Sequence, residues 1–218
     1  MKLDPQGAQH FPAAIPDDDL VALAALLSSR LSDRSAGARL PASAALRPLI
    51  ASADGIAAAH LGPDARPVRA TLFDKSPARN WALGWHQDRT IAVRRRVDTP
   101  GFTAWTVKHG IPYVVPPFAM LERMLTLRIH LDPVGPDNAP LLIAPGSHRL
   151  GPLPAREIPA VAGRLGSFSC QAGRGDVWLY ASPILHASAR AAAPKRRRVL
   201  QLLYSAEELP GRLQWLGV

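Results

Sequence analysis

The sequence predicts a mainly β protein with N-terminal helices, arranged as a double-stranded β-helix, or jelly roll. Two observations lead to this fold class. From about residue 67 onward, short runs rich in β-branched, leucine and aromatic residues alternate with Pro, Gly, Asp and Asn. Before residue 67, the apolar stretches are longer and have helical spacing. Many short strands separated by turn residues are typical of sandwiches and barrels.

The N-terminal part is predicted to be helical. Residues 17–32 begin with three aspartates and continue with apolar residues at helical spacing, which is typical of an amphipathic helix. Residues 43–62 are expected to form one or two further helices, divided at Gly55 and ended by Gly62. No stretch has the composition of a linker. We therefore expect one domain over residues 1–218, with a mainly helical part at 1–66 and a jelly-roll core at 67–205.

The strand candidates follow one another along the predicted core. They are PVRATLFDK (67–75), RTIAVRR (89–95), LTLRIHLDP (125–133), LLIAPGSH (141–148), GDVWLYAS (175–182) and RRVLQLLYS (197–205). Residues 89–118, which include the second run, are rich in proline, glycine and aromatics and are interpreted as a long insertion. Segments of this kind beside a site commonly carry substrate contacts.

Composition excludes several classes of protein. Hydrophobic residues make up 47% of the 218, enough for a sizeable core. Cys170 is the only cysteine in the sequence, which excludes intramolecular disulfides and cysteine-rich zinc sites and makes a reducing cytoplasm the expected compartment. No apolar run is long enough to span a membrane. The N-terminus lacks the apolar core of a secretory signal, so none is expected.

The net charge of +9 includes two basic clusters, at residues 94–96 and 195–198. A basic balance is compatible with nucleic acid or anionic ligands. No aromatic or glycine-rich nucleic-acid motif accompanies the charge, so we interpret it mainly as arginine on solvated faces. A basic nucleic-acid-binding module is the alternative, and it predicts an affinity that falls steeply with salt. We expect neither a nucleic-acid nor a membrane partner.

The heptapeptide GWHQDRT at 84–90 is a candidate metal site. Residues i and i+2 of a strand point to the same face, so His86 and Asp88 can direct an imidazole and a carboxylate to one point. His186 follows an apolar strand and is the candidate third ligand. Two histidines and one carboxylate leave open positions on an octahedral metal, as in non-haem Fe(II) oxygenases. The alternatives are a polar strand end for the first pair, a core histidine for His186, and His130 as a ligand.

A basic residue enters the last predicted strand eleven positions after His186. On a period of two, Arg197 shares a face with Val199 and Gln201, and the hollow of a jelly roll places that face inside. A buried arginine needs an anionic partner, and guanidinium matches a carboxylate in bidentate fashion. The neighbouring arginines at 196 and 198 point the other way, although either could be the anchor instead.

These motifs together resemble one family. The ordered set WHQD, DNAPLLIAPGSHRLG, GDVWLYASPILHAS and RRRVLQLLYS is similar to the phytanoyl-CoA dioxygenase group of Fe(II)/2-oxoglutarate oxygenases, over roughly residues 67–205. The resemblance implies that the catalytic iron ligands are His86, Asp88 and His186. It also implies that Arg197 and Ser188 bind 2-oxoglutarate, the cosubstrate used with O2.

The sequence departs from this family at two places. Ala139 stands where relatives usually have glycine, which indicates a slightly different turn. Arg128 stands where relatives often have tryptophan, which leaves the lining of the cosubstrate pocket open. Lys75, Asn80 and Arg128 are further candidates for the pocket, with solvated or ion-paired side chains as their alternatives.

We therefore expect an Fe(II)- and 2-oxoglutarate-dependent dioxygenase that hydroxylates a small molecule and releases succinate and CO2. A cupin-like jelly-roll enzyme that does not use 2-oxoglutarate is the alternative, but it gives Arg197 no clear role. A carboxylate ligand at 88 argues against halogenation, which needs that position vacant for halide. The sequence does not indicate the substrate or the oligomeric state.

Overall fold

The computed structural model describes residues 4–28, 37–40 and 42–218. Its helices are the α-helices α1 (Asp17–Ser28), α2 (Ala51–Leu61), α3 (Phe118–Glu122) and α4 (Ile158–Leu165), with single 3₁₀ turns at Pro48–Ile50 and Ser147–Arg149. Its strands are β1 (Ala8–Phe11), β2 (Ala38–Leu40), β3 (Arg66–Lys75), β4 (Leu83–His86), β5 (Ile91–Ala92), β6 (Thr103–Lys108), β7 (Ile111–Val115), β8 (Leu125–His130), β9 (Leu141–Ile143), β10 (Phe168–Cys170), β11 (Val177–Ala181), β12 (His186–Ser188) and β13 (Arg197–Ser205).

The strands form antiparallel sheets, as expected for a jelly roll. A six-stranded sheet has the order β1-β11-β8-β13-β3-β2, and a four-stranded sheet has the order β10-β9-β12-β4. Both sheets contribute side chains to one cavity between them. The mainly β fold class predicted from the short strands is confirmed.

The six-stranded sheet separates an apolar core from a polar interior. On its outer face, Leu125, Leu127 and Ile129 of β8 lie in a cluster with Leu23 of α1 and Ala57 of α2. Because successive strand residues alternate between faces, the residues of β8 that alternate with these three apolar residues point inward. Burial of the apolar face against the helices stabilises the sheet and leaves the inner face free to carry polar groups.

Inward-facing residues on the central strands are polar although the strands are buried. The buried polar residues of β3, β8 and β13 that share this face are Arg69, Thr71, Lys75, Thr126, Arg128, His130, Arg197 and Gln201. Polar groups in such a position need partners, so this face is where ligands are expected.

The N-terminal part contains the predicted helices and, in addition, two short strands that were not predicted. Strand β1 pairs with β11, and β2 pairs with β3, so residues before 67 form both edges of the large sheet. The helix predicted at 17–32 is described as Asp17–Ser28, and its last four predicted residues lie outside the described ones. Gly55 does not divide the following helix, which continues to Leu61 and ends at Gly62 with φ +95°. Glycine costs a helix about 1 kcal/mol, which packing of the helix against the sheet offsets.

The segment 89–118 is more regular than the sequence indicated. It contains a three-stranded sheet of order β5-β7-β6, in which β6 and β7 form a hairpin. His109 and Gly110 connect the two strands with φ of 52° and 76°. Two positive φ angles are typical of the type I′ turn that matches the twist of a hairpin, and the His-Gly pair was the signal for it.

None of the described helices is both long and apolar enough to cross a membrane.

Candidate metal centre and adjoining cavity

The three predicted ligands come together in space. His86 ends β4, Asp88 follows two residues later, and His186 begins β12, where it lies opposite His86 in the strand pairing. One ligand atom from each of the three lies within 4.8 Å of the others. The imidazole rings of the two histidines are 4.2 Å apart between centroids. This pairing is what brings together residues that are a hundred positions apart in the sequence.

The two imidazoles are oriented for metal binding. Nδ1 of His86 lies 2.8 Å from the carbonyl oxygen of Gly84, and Nδ1 of His186 lies 2.9 Å from that of Ile184. A ring nitrogen that contacts a carbonyl oxygen must donate its proton to it. In the neutral form of each ring, Nε2 then carries the free lone pair, and this is the tautomer that a metal ion requires.

The residue between the first two ligands fixes their position. Gln87 is buried and points away from the metal centre. Its amide nitrogen donates to the carbonyl oxygens of Gly151 and Pro183, and its amide oxygen accepts from the backbone N–H of Leu153 and from Arg89. All four hydrogen-bonding positions of the amide are used. The alternation of the chain therefore directs the residues on either side toward the cavity.

The turn after β9 supports the third ligand. Ser147, in the APGSH motif, is fully buried; its hydroxyl donates to Ala144 O and accepts from the backbone N–H of Leu185. The N–H of Ala144 donates in turn to the carbonyl oxygen of Leu185. These bonds fix the backbone one residue before His186, so the role of this motif is architectural.

The electrostatics of the three groups suit a cation. Burial opposes ionisation of Asp88, but the nearby His186, Arg69 and His86 together hold the pKa of its carboxyl below the usual range. Burial lowers the pKa of His186 to about 4, although Asp88 acts in the opposite direction. Near neutral pH the site thus presents a carboxylate and a neutral imidazole, which are the protonation states in which these groups bind metals.

A cavity of about 170 Å³ adjoins the metal centre. It is lined by His86, Asp88 and His186 from one side and by side chains of the six-stranded sheet from the other. Arg197 is among the latter, with 3% of its surface exposed. Its Nη1 donates to the carbonyl oxygen of Ala139, and its Nε has no partner among the described residues.

The neighbours of Arg197 face outward, as alternation along a strand requires. Arg196 pairs with Asp74, and Arg198 forms two hydrogen bonds to Asp132, at 2.7 and 2.9 Å. Both are therefore satisfied by carboxylates of the chain. Burial and the charge of Arg128 lower the pKa of Arg197, so an anion beside it would be stabilising.

Ser188 and Lys75 lie at the same end of the cavity. The ammonium group of Lys75 donates to Ser188 Oγ at 3.0 Å and to the carbonyl oxygen of Ala189 at 2.8 Å. Ser188 lines the cavity directly, and Lys75 lies behind it. Burial, followed by the charges of Arg197 and Arg128, lowers the pKa of Lys75 to about 7.

Arg128 faces the cavity and Asn80 does not. Nη1 of Arg128 donates to Gln201 Oε1 at 2.7 Å, its guanidinium lies 5.3 Å from the centre of the Phe73 ring, and its Nε is unpartnered among the described residues. Asn80 lies outside the cavity lining, because its amide forms a pair of hydrogen bonds with the backbone of Ala191.

The alternative ligand His130 is separate from the metal centre. It is not part of the described group of donors. Both of its ring nitrogens are buried without a hydrogen-bond partner among the described residues, and burial lowers its pKa to about 3. His130 is therefore a neutral interior residue below Arg128 on β8.

Several cavity residues were missed by the sequence analysis. They are Arg39, Arg69, Thr71, Phe73, Thr90, Lys108 and Tyr113, whereas Gln201 was expected on the inward face with Arg197. One signal was available for part of this set, since Arg69, Thr71 and Phe73 share a face with Lys75 on a period of two. The contribution of β2 had no such signal, because it depends on pairing between distant segments. The segment 89–118, which includes Thr90, Lys108 and Tyr113, was expected to carry substrate contacts, but its individual cavity residues were not identified.

The residues present fit iron and 2-oxoglutarate. Two imidazoles and a carboxylate match the facial set of non-haem iron sites, and all three side chains line the cavity. The unpartnered Arg197 Nε, beside the Ser188 hydroxyl, fits the distal carboxylate of a 2-oxo acid. Without an anion, this buried guanidinium has no charged partner among the described residues.

Comparison with known proteins agrees with this geometry. The family model described as phytanoyl-CoA dioxygenase (PhyH) matches residues 53–199. No curated protein sequence matches the chain significantly.

Three solved structures illustrate the likeness of fold. EctD from S. alaskensis, in a structure with 2-oxoglutarate and 5-hydroxyectoine, has a TM-score of 0.70 at 19% identity, over 99% of this chain and 77% of that chain. The epimerase SnoN from nogalamycin biosynthesis, in complex with Fe³⁺, alpha ketoglutarate and nogalamycin RO, gives 0.65 at 15% identity, over 95% and 87%. AviO1 from Streptomyces viridochromogenes Tue57 gives 0.64 at 23% identity, over 94% and 92%.

Proposed function

The chain belongs to the phytanoyl-CoA dioxygenase family of Fe(II)- and 2-oxoglutarate-dependent oxygenases, and from this premise we propose that it hydroxylates a small-molecule substrate at the centre formed by His86, Asp88 and His186. We propose that Arg197 and Ser188 bind the distal carboxylate of 2-oxoglutarate. The observation that carries the proposal is the buried, unpartnered Nε of Arg197, which lines the same cavity as the three ligands.

The two histidines and the aspartate would have different roles in binding the metal. The two imidazoles would bind the metal through the lone pair of Nε2, because each Nδ1–H donates a hydrogen bond to a carbonyl oxygen, that of Gly84 or of Ile184. Asp88 supplies the negative charge that partly neutralises a divalent cation. Iron held by these residues would supply, with 2-oxoglutarate and O2, the oxidant for a substrate C–H bond, and the 2-oxoglutarate would be converted to succinate and CO2.

The rest of the cavity orients the cosubstrate. Arg197 is held in place by the carbonyl of Ala139, so its guanidinium does not have to reorganise when a carboxylate arrives. Ser188 is held by Lys75 and points its hydroxyl to the same place. The burial of Arg197 and Arg128 keeps this end of the cavity away from bulk water, which strengthens their attraction for an anion.

Segments near both ends of the described residues contribute to this unit. Strands β1 and β2 form the edges of the large sheet, and Leu209, Leu213 and Trp215 lie in a buried cluster with Val68 of β3. These contacts support our proposal that residues 1–218 form a single oxygenase domain. The buried and unpaired Cys170 supports a reducing compartment, and we propose the cytoplasm.

The first test is an anaerobic titration of Fe(II)-loaded protein with 2-oxoglutarate. Bidentate chelation of the metal produces a weak visible charge-transfer band, and we expect this band for the wild type. Asp88→Ala should lose it. Asp98→Ala is the matched control, because the Asp98 side chain is 82% exposed and pairs with Arg96. Iron-containing wild-type protein that gives no band would contradict the use of 2-oxoglutarate at this site.

A further inference from the structure

A second group of cations lies at the metal end of the cavity, away from Arg197. Along the inner face of β3, Arg69 is at the end near the metal and Lys75 is at the end near the cosubstrate anchor, six residues further on. Arg39, on β2, lies beside Thr71 in the strand pairing, and Lys108 ends β6. Arg39, Arg69 and Lys108 all line the cavity. We call these three residues the outer cation group.

The outer cation group is held in place by one aromatic side chain and one carboxylate. Nε of Arg39 donates to the hydroxyl of Tyr113 at 3.3 Å, and the ammonium group of Lys108 lies 5.3 Å from the centre of the same ring. The guanidinium of Arg69 lies 3.7 Å from the carboxylate of Asp88. Tyr113 itself is fully buried, so it gives the two cations a rigid support.

The charges of the cavity do not balance. Among the described residues that line it, Asp88 is the only carboxylate, whereas five are arginine or lysine: Arg39, Arg69, Lys108, Arg128 and Arg197. A metal ion would engage that carboxylate and add two positive charges. 2-Oxoglutarate brings two negative charges, which offset the metal but leave the cations in excess. Within the outer cation group Arg69 is buried, Arg39 is half-buried and Lys108 is exposed. Arg69 therefore gains most from a further anion, because a metal ion would engage the Asp88 carboxylate that it faces.

We propose that the substrate of this site is a small organic oxyanion, whose carboxylate, sulfate or phosphate group binds Arg39, Arg69 and Lys108. This inference rests on the proposed function, because it assigns the substrate class of the same site. The two ends of the cavity then have separate tasks: Arg197 binds the cosubstrate, and the outer cation group binds the substrate. Guanidinium groups match oxyanions with paired hydrogen bonds, and an anion held by Arg69 lies beside Asp88 and therefore beside the metal.

The test is isothermal titration calorimetry on anaerobic Fe(II)-loaded protein saturated with 2-oxoglutarate. The probes are phenylacetate, benzenesulfonate and phenyl phosphate, with phenylacetamide as the neutral partner of the first. Their aromatic bodies suit the Phe73, Trp81 and Tyr113 side chains that line the cavity. We expect at least one acid to bind, and phenylacetate to bind about tenfold or more tightly than the amide.

The variant Arg39→Gln combined with Lys108→Gln should remove this preference and weaken acid binding by about tenfold or more. The matched control combines Arg164→Gln with Lys195→Gln, two exposed residues outside the cavity, and should bind as the wild type does. The charge-transfer band with 2-oxoglutarate should persist in both. A missing band in the wild type would count against the proposed function. The absence of a preference for acids in wild-type protein that does give the band would count against this inference alone.

Three results would overturn the inference. One is equal binding of phenylacetate and phenylacetamide, and another is the absence of binding by every acid tested. The third is acid binding that displaces 2-oxoglutarate and is lost in Arg197→Gln but not in the Arg39 and Lys108 variant, because the acids would then occupy the cosubstrate end.

Discussion

Arg197 lies directly opposite Lys75 where β13 pairs with β3, and neither of these buried cations forms an ion pair within the described part of the chain. Each is held by neutral oxygens instead, from Ala139 for the guanidinium and from Ser188 and Ala189 for the ammonium. Two like charges at this spacing disfavour each other. Binding of a dianion beside this pair therefore relieves the repulsion between the two cations.

Binding of 2-oxoglutarate should weaken as the pH rises above 7. The pKa of Lys75 is about 7 without cosubstrate, and a nearby carboxylate raises it. Below pH 7 the ammonium is charged in both states, so the affinity is constant. Above pH 7 the free protein has lost this proton, so binding requires that Lys75 take up a proton. The affinity therefore falls as the pH rises from 7 to the higher pKa that Lys75 has in the complex.

Calorimetry in two buffers of different ionisation enthalpy measures this proton uptake directly. Lys75→Met should abolish the uptake, whereas Lys195→Met, a change at an exposed lysine, should leave it intact. Equal uptake in the Lys75 variant would show that another group titrates.

Arg197→Gln should weaken 2-oxoglutarate binding and leave Fe(II) binding unchanged. Removing one partner of a buried charge pair costs about 2–5 kcal/mol, so we expect a loss of roughly thirtyfold or more in affinity. Arg198→Gln is the control, because Arg198 faces outward to Asp132. The anchor assignment would be wrong if the Arg198 variant lost cosubstrate affinity and the Arg197 variant kept it.

Gln87→Leu should lower both stability and metal affinity. The substitution keeps the size of the side chain but leaves the carbonyls of Gly151 and Pro183 and the N–H of Leu153 without their partner. Unsatisfied buried groups cost about 1–3 kcal/mol, and loss of a positioning residue costs about 10–100-fold in metal affinity.

Urea denaturation of metal-free protein and Fe(II) titration measure the two effects separately. Gln171→Leu is the matched control at an exposed position. A Gln87 variant that loses stability but binds Fe(II) like the wild type would restrict the role of Gln87 to folding.

Ala139→Gly should stabilise the protein. Ala139 has φ of +51° and is 4% exposed. The left-handed region costs an L-residue about 1–2 kcal/mol, and the greater freedom of glycine in the unfolded chain offsets part of this gain. We expect an increase of roughly 0.5–1 kcal/mol in the free energy of unfolding. Ala192→Gly, at an exposed residue without positive φ, should give no gain.

The sequence was informative where function and strand periodicity coincide. His86 and Asp88 are two residues apart on one strand end, and Arg197 alternates with outward-facing neighbours. These relations are local, so a period of two was sufficient to predict that they share a face. The departure expected at Ala139 was also visible in the sequence, and this residue has a positive φ, a conformation that favours glycine.

The parts that could not be predicted depend on long-range pairing. Arg39 reaches the cavity because β2 adds to the edge of β3, and Lys108 reaches it because the β6–β7 hairpin folds over the site. The pairing of β2 with β3 is not encoded within a short window of sequence. The hairpin has a local signal at His109 and Gly110, but its approach to the cavity does not. The role of Gln87 was missed for a related reason, since its four partners come from three separate segments.

The proposed histidine ligands and the proposed arginine anchor lie on different sheets. His86 and His186 belong to the four-stranded sheet, whereas Arg197 belongs to the six-stranded sheet. A molecule that chelates the metal at one end and pairs with Arg197 at the other must therefore have a length that matches the distance between the two sheets. We therefore expect the spacing of the two sheets to decide between 2-oxo acids that differ by one methylene. Helices packed against the large sheet support this spacing. Exchange of a single side chain should then change this selectivity little.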